Sequence, residues 1–369
     1  MTRPRVVLYG ASGNTGKLVA WKLASRGILF VAAGRDKARV DAALQKMPEL
    51  AGADYEIAEV GHTVEELTEL FRGRTVVYNT VGPFMQLAEP VVEACLRAGV
   101  HYLDASGEQD WILHVKDTYG SRFAERDLLV VPACSMMWTS GLLAAEACLE
   151  VPGIDALDIV YAPRGAPSVA STQSFVRMCC QPQRYLDDRE LVLWPPAASY
   201  QVTVPGIHQL LTALPWSGGG EPVWFADDPR VVHCQTLVSF TNQQMMNWVA
   251  DRMKEFEEKY KHLPSAEQEA ATNAWANSLT PGEPPRDRLE ANRTIVSCQA
   301  RGNRRSVSAV LWGTNGYDQT GALAAAAVDR ILKGKVKAAG FASPAAAFGA
   351  RNLLRDWSEE GLVELELRT

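Results

Sequence analysis

The sequence predicts an α/β fold in which a doubly wound parallel sheet is followed by an α+β domain with a mixed sheet. Three observations carry this. From Arg5 to about Pro132, short β-branched runs alternate with helical stretches, as in a parallel sheet covered on both faces. A glycine loop, Gly10-Ala11-Ser12-Gly13-Asn14-Thr15-Gly16, follows the first strand and opens the first helix. After Pro132 the alternation stops, and strands and helices follow one another without order. The N-terminal half therefore reads as a Rossmann-type domain. At 369 residues the chain has room for two domains. They are expected at 1–135 and 136–340, with closing helices within 317–357 packing back onto the first.

Each element has its own signal. Val6-Val7-Leu8-Tyr9 is the first strand and 15–26 the first helix. Strands at 28–33, 55–58 and 75–79 alternate with helices at 36–46, 64–72 and 89–98. Tyr102-Leu103 and 128–131 complete the predicted sheet, with a long helix between them. In the second domain 141–149 reads as helical, and 156–162, 191–204, 231–240 and 294–311 as strand-like. Helices are expected at 245–261, 266–277, 317–332 and 344–357. Proline and glycine mark loops at Pro195-Pro196, 217–221 and 281–285. No internal repeat or low-complexity segment is present.

Composition narrows the function classes. Apolar residues make up 47% and charged residues 22%, values of a globular protein with a real core. Lys and Arg number 37 and Asp and Glu 43, a net charge of −6 that argues against nucleic acid as a partner. No apolar run approaches the roughly 18–20 residues of a membrane span, the alanine-rich stretch 322–328 included. With a strand-like run beginning at Arg5, no signal peptide is expected. Seven cysteines without CxxC spacing and six scattered histidines give no zinc signature, so no metal site is expected. The cysteine pattern implies a reducing, cytoplasmic compartment.

The glycine loop carries the strongest chemistry. A tight strand-to-helix turn needs glycine where the backbone approaches a pyrophosphate, and the helix N-terminus offers free N–H groups to the anion. Gly10, Ser12, Gly13, Asn14, Thr15 and Gly16 are therefore cofactor candidates. The second strand runs into Ala33-Gly34-Arg35-Asp36, where an NAD enzyme usually has an acid for the ribose 2′-hydroxyl. Arg35, beside Gly34, can clasp a 2′-phosphate through charge-assisted bonds. Asp36 reads more simply as the cap of the following helix. The reading favours NADP(H).

Three later loops fall at carboxyl ends of strands, where open α/β sheets bind ligands. The first holds Thr80, Val81, Gly82 and Pro83, the second Ser106 and Gly107, and the third Cys134 and Ser135. Each alone could be an ordinary loop. Together the segments LYGASGNTGK (8–17), AGR (33–35), VGPF (81–84), HYLDASGE (101–108) and PAC (132–134) resemble the saccharopine dehydrogenase-like oxidoreductases, particularly their trans-acting enoyl reductase branch. Weaker echoes lie at 168–174 and around Ala339-Gly340-Phe341. The resemblance implies an NADPH-dependent reductase whose second domain supplies the substrate pocket. After PAC the family commonly continues Gly-Phe-Asp, whereas this chain has Met137 where the aspartate would stand. A proton must then come from another group or from water.

Candidates for that chemistry are Cys134, Ser135, Thr139 and Ser140 after the last strand, and Tyr161, Ser171 or Thr172 from the second domain. Cys134 reads equally well as a buried packing residue. Asp104 and Glu108 read as acids or, more simply, as acceptors for loop N–H groups. None of the ten tyrosines has lysine four residues later, so the Tyr-x-x-x-Lys pair of short-chain dehydrogenases is absent. Six tryptophans in the second domain, with Met136, Met137 and Met178, suit a small hydrophobic substrate. A polycarboxylate would instead call on Arg164, Arg177, Arg184 and Arg189. The leading expectation is hydride transfer to a conjugated C=C bond of a carbonyl compound. Imine or ketone reduction is the alternative, and a non-catalytic NADP-binding redox sensor a third. A homodimer is expected from class habit.

Overall fold

The computed structural model describes residues 5–165, 167–279, 284 and 292–368. Apart from Pro284, the loop expected at 281–285 lies outside the described residues. The chain divides into two compact units. One falls within 1–106, 111–139 and 317–361, the other within 107–110, 140–316 and 362–369. In chain order the strands are β1 (Val6–Tyr9), β2 (Phe30–Gly34), β3 (Glu56–Glu59), β4 (Val76–Asn79), β5 (His101–Asp104), β6 (Leu129–Val131), β7 (Ala156–Arg164), β8 (Arg184–Asp187), β9 (Glu190–Leu193), β10 (Tyr200–Val204), β11 (Ile207–Ala213), β12 (His233–Val238), β13 (Arg293–Arg301), β14 (Ser306–Gly313), β15 (Gly340–Phe341) and β16 (Val363–Arg368).

The first unit carries a seven-stranded, all-parallel sheet in the order β15-β6-β5-β4-β1-β2-β3. Its inner strands are apolar on both faces because helices cover both, and Val6, Val7 and Leu8 are fully buried. From β1 the chain steps outward through β2 and β3, then returns to the other side of β1 for β4. The strand order reverses between β1 and β4, which is where doubly wound sheets hold their ligands. Register places Tyr9 level with Ala33 and Asn79, and Asn79 level with Asp104. The loops that follow therefore leave the sheet along one edge.

The alanine-rich stretch lies in the Gly316–Leu332 helix and serves close packing. A Cβ on Gly321 would stand 3.0 Å from the Leu18 carbonyl oxygen on the Asn14–Ser25 helix. Farther on, Trp357 Nε1 donates to the Gln319 carbonyl at 2.9 Å, and Glu360 pairs with Lys22 and Arg26. The helix expected over 344–357 is two, Pro344–Phe348 and Ala350–Glu359, because Gly349 between them adopts φ +87°.

The second unit holds a mixed seven-stranded sheet, β16-β14-β13-β7-β12-β8-β9, and a separate β10–β11 hairpin. β7 runs parallel to β12 and antiparallel to β13. The strand-like run 191–204 is two strands parted by Pro195-Pro196, and 294–311 is the β13–β14 hairpin. Among the described residues no helix is long and apolar enough to cross a membrane.

Candidate cofactor and catalytic site

The glycine loop is shaped by contacts that differ at its three glycines. Gly10 adopts φ +88° and donates to the Ala33 carbonyl at 2.9 Å; a Cβ there would lie 2.6 Å from Thr80 Oγ1 and 2.8 Å from Val81 Cγ2. At Gly16 a Cβ would sit 2.4 Å from the Gly10 carbonyl oxygen, so this glycine lets the helix start press against the strand end. Gly13 is exposed, has ordinary dihedrals (φ −73°, ψ 166°), and would place a Cβ no nearer than 3.4 Å to any neighbour. Crowding in the fold therefore explains the first and third glycines but not the second. Gly13 is also the N-cap of the Asn14–Ser25 helix and makes no side-chain cap bond. The bare amides and the open space in front of them fit a pyrophosphate. Asn14 is buried, while Ser12 and Thr15 are half-buried beside it.

At the end of β2 a Cβ on Gly34 would stand 2.9 Å from Val40 Cγ2, so glycine is needed for the helix to close on the strand. Arg35 is exposed, and among the described residues its guanidinium has no hydrogen-bond or ion-pair partner. Asp36 caps the Lys37–Gln45 helix by accepting from the Arg39 amide at 2.9 Å. The carboxylate that competes with Arg35 in the sequence is thus committed to a structural bond.

The inner loops are fixed by one buried carboxylate. Asp104 accepts from Tyr102 Oη (2.8 Å) and Trp111 Nε1 (2.7 Å), and from the backbone N–H groups of Ser106 (2.9 Å) and Ala133 (2.8 Å). Burial raises its pKa, and the hydrogen bonds pull against that rise. Ser106 Oγ also receives the Ala133 N–H at 3.1 Å, so the loops after β5 and β6 are clamped together. Asn79 extends the network, donating to Tyr102 Oη at 3.2 Å and accepting from the Val81 amide at 2.9 Å. Thr80 Oγ1 lies 3.0 Å from both the Tyr9 and Gly10 carbonyl oxygens, tying this loop to the glycine loop. Gly82-Pro83 is a cis peptide that leads into the Phe84–Leu87 helix. The sequence places Asn79 at the head of the first loop and marks Asp104 as a loop acceptor, but it does not show the bond from Asn79 to Tyr102, 23 residues away, or the one from Trp111 to Asp104, 7 residues away.

The catalytic candidates fare differently. Cys134 is fully buried, and burial pushes its thiol well above the usual range, so it holds its proton and is a poor acid. Ser135 is 5% exposed and donates to the Met137 carbonyl at 2.5 Å. Both lie after β6, at the carboxyl edge of the first unit's sheet. In the second unit Tyr161 is buried on β7; its hydroxyl donates to Glu221 Oε1 at 2.7 Å and accepts from the Gly141 amide at 2.6 Å. Glu221 has no cation partner in this network, and burial pushes its pKa up to about 8. Gly107 also belongs to the second unit, where its carbonyl accepts from Ser217 Oγ at 2.6 Å.

Three of the four arginines suited to a polycarboxylate are engaged within the second unit, while Arg164 is exposed at the end of β7. Arg177 is 3% exposed and pairs with Glu108 at 3.1 Å and Asp110 at 2.7 Å. Arg184 and Arg189 donate to the Leu191 and Pro229 carbonyls.

Comparison with known proteins agrees with this geometry. Residues 139–369 match the Family of unknown function (DUF5938). The chain belongs to that family. Residues 6–126 of this DUF5938 protein match the saccharopine dehydrogenase NADP-binding domain, so the glycine loop and Arg35 lie in an NADP-binding unit. A lipid droplet localized protein of Caenorhabditis elegans is 35% identical over 148 residues, 38% of this chain and 34% of that protein. The trans-acting enoyl reductase of Mycobacterium ulcerans is 32% identical over 131 residues, 35% of this chain and 31% of its own. The matches thus span about a third of the length of these curated relatives. Saccharopine dehydrogenase (L-Glu forming) of Saccharomyces cerevisiae shares the fold, with TM-score 0.63, 12% identity and 99% coverage of both chains. Together these matches give the chain an N-terminal NADP-binding domain of the saccharopine dehydrogenase kind and a fold shared with the yeast enzyme.

Proposed function

We propose that this DUF5938 protein is an NADPH-dependent reductase that transfers hydride to the conjugated C=C bond of a small, mostly hydrophobic carbonyl compound. The observation that carries the cofactor reading is the Arg35 guanidinium, exposed at the end of β2 and unpartnered among the described residues, with Asp36 committed to a helix cap. Gly10, Gly13 and Gly16 with the N-terminus of the Asn14–Ser25 helix would hold the pyrophosphate, and Thr80 to Pro83 would flank the inner ribose. The cofactor, when bound, supplies the hydride. Asp104 acts by positioning, since it fixes the two loops nearest the nicotinamide end.

The engaged state of Arg177, Arg184 and Arg189 disfavours a polycarboxylate substrate. The second unit carries instead an aromatic cluster, with Trp216 lying 5.3 Å from Phe175 and 5.1 Å from Phe240 between ring centroids. The mycobacterial relative's name points the same way. No strong acid stands in the Cys134–Met137 segment and the Ser135 hydroxyl is committed to the Met137 carbonyl, so protonation of the product is assigned to water. The free cysteines among the described residues support a cytoplasmic setting, and a homodimer completes the proposal.

The test is a mass-spectrometric screen with NADPH deuterated at the nicotinamide C4, offered hydrophobic enones, ketones and cyclic imines in parallel. Deuterium on the carbon β to a carbonyl establishes ene reduction. Deuterium on a former carbonyl or imine carbon replaces that reading with C=O or C=N reduction. Tight NADPH binding without transfer to any acceptor points to a redox sensor.

A further inference from the structure

Beyond Arg35, a second side chain stands where the adenosine end of a dinucleotide would lie. After β3 the chain crosses Val60-Gly61-His62-Thr63 before the Val64–Phe71 helix, which Thr63 caps. The Val60 amide donates to the Gly34 carbonyl at 3.0 Å, so this crossing lies against the residue that precedes Arg35. His62 Nδ1 is 2.8 Å from Tyr9 Oη, and the two rings stack with centroids 5.9 Å apart and planes 9° from parallel. Tyr9 is itself 1% exposed and immediately precedes Gly10. The imidazole is therefore held in place by the last residue of β1, next to the glycine loop.

Burial keeps the Tyr9 hydroxyl protonated, its pKa pushed up to about 12, so it donates to Nδ1 and leaves Nε2 carrying the ring hydrogen. That Nε2 is enclosed and makes no hydrogen bond of ordinary geometry. The groups facing the ring are Tyr9 from β1, Arg35 after β2 and the Leu87 carbonyl from the Phe84–Leu87 helix; the Glu66 carboxylate acts on Tyr9 from the Val64–Phe71 helix. Arg35 and His62 Nε2, neither with a hydrogen bond of ordinary geometry among the described residues, thus meet beside the carboxyl ends of β1, β2 and β3. The enclosed Nε2 faces only the Leu87 carbonyl, and an anion at this place would offer a charged acceptor to it and to the exposed Arg35 guanidinium.

We propose that His62, oriented by Tyr9, is a second contact for the ribose 2′-phosphate and sets the selectivity for NADPH over NADH. The inference rests on the NADP reading above. Without ligand, burial and the Arg35 charge hold His62 below the ordinary histidine pKa, against a smaller opposing effect of the Leu87 carbonyl. A bound phosphate dianion reverses this, so binding of NADPH takes up a proton near neutral pH and selectivity falls as pH rises.

The experiment titrates NADPH and NADH by fluorescence at pH 6.5 and 8.5, using the full chain, His62→Gln and Tyr9→Phe, each checked for folding by thermal melting. The wild-type selectivity ratio is expected to fall at least fivefold between the two pH values. In H62Q the ratio is low and changes less than twofold, while the NADH affinity is unaltered. Calorimetry in two buffers of different ionisation enthalpy gives an independent readout: proton uptake on NADPH binding at pH 7 that H62Q lacks. If H62Q retains the pH slope and the proton uptake, His62 does not contact the phosphate and the inference falls alone. If wild-type protein fails to bind NADPH at both pH values, the NADP reading falls with it.

Discussion

Substituting Gly13 by alanine separates cofactor binding from folding, because the three loop glycines are required for different reasons. At Gly16 the added methyl would meet the Gly10 carbonyl oxygen at 2.4 Å and Ala11 Cα at 2.8 Å, both backbone atoms with no means of escape. At Gly10 it would add strain at φ +88° to a 2.6 Å contact with Thr80. At Gly13 the backbone already sits at φ −73° and ψ 166°, and the methyl's nearest neighbour is 3.4 Å away, an ordinary contact. Alanine gains about 0.4–1 kcal/mol by restricting the unfolded chain, and as a poor N-cap it loses a similar amount. Folding stability should change by less than about 1 kcal/mol. The methyl does occupy space in front of the helix amides, and losing charge-assisted bonds to a pyrophosphate costs roughly 1.5–3 kcal/mol. NADPH affinity should therefore drop roughly ten- to hundredfold. Urea unfolding and NADPH fluorescence titration on G13A and G16A test this. G16A should fail to fold stably, whereas G13A folds and binds weakly. A G13A protein that binds NADPH as wild type does would refute the placement of the pyrophosphate on this helix.

Two other substitutions address buried carboxylates. Glu221 has a folded pKa of about 8 against 4.5 for the free side chain, so the native state is fully favoured below about pH 4.5 and loses stability as pH rises through 8. The linkage amounts to an upper bound of roughly 5 kcal/mol. Glu221→Gln should flatten the decline in urea-unfolding stability between pH 5 and pH 8.5, and parallel pH profiles for the two proteins would contradict this. Asp104→Asn turns an acceptor of four hydrogen bonds into a group whose amide opposes some of those donors. It should cost about 3 kcal/mol of stability and weaken NADPH binding as the clamped loops loosen. A melting temperature unchanged from wild type would show that Asp104 does not organise the loops.

Legibility in the sequence tracked how local each cause is. The glycine loop and the capping role of Asp36 depend on residues within a few positions, and the sequence reading recovered both. Strands β1, β2, β4 and β6 of the first sheet announce themselves by apolar runs, whereas β15 spans two residues and exists only by pairing Gly340 with Leu129 and Phe341 with Val130. The second unit was harder. Its Val169–Cys180 helix and the strand β16 depend on partners far along the chain, such as the pairing of Val363 with Gly313. Tyr161 illustrates the same limit at the site: its residue type suggests acid–base chemistry, yet its hydroxyl is bound to Glu221 and the Gly141 amide inside the unit. His62 drew no attention in the sequence, because its meaning comes from Tyr9, 53 positions earlier.

Parallel equilibrium titrations of NADPH and NADH against wild type and Arg35→Ala test the central claim most directly. The account predicts that wild-type protein prefers NADPH, that R35A loses roughly 1.5–3 kcal/mol of NADPH binding, and that NADH binding stays nearly unchanged. Equal losses for the two cofactors, or no preference in the wild type, would show that the free guanidinium at the end of β2 does not read the 2′-phosphate.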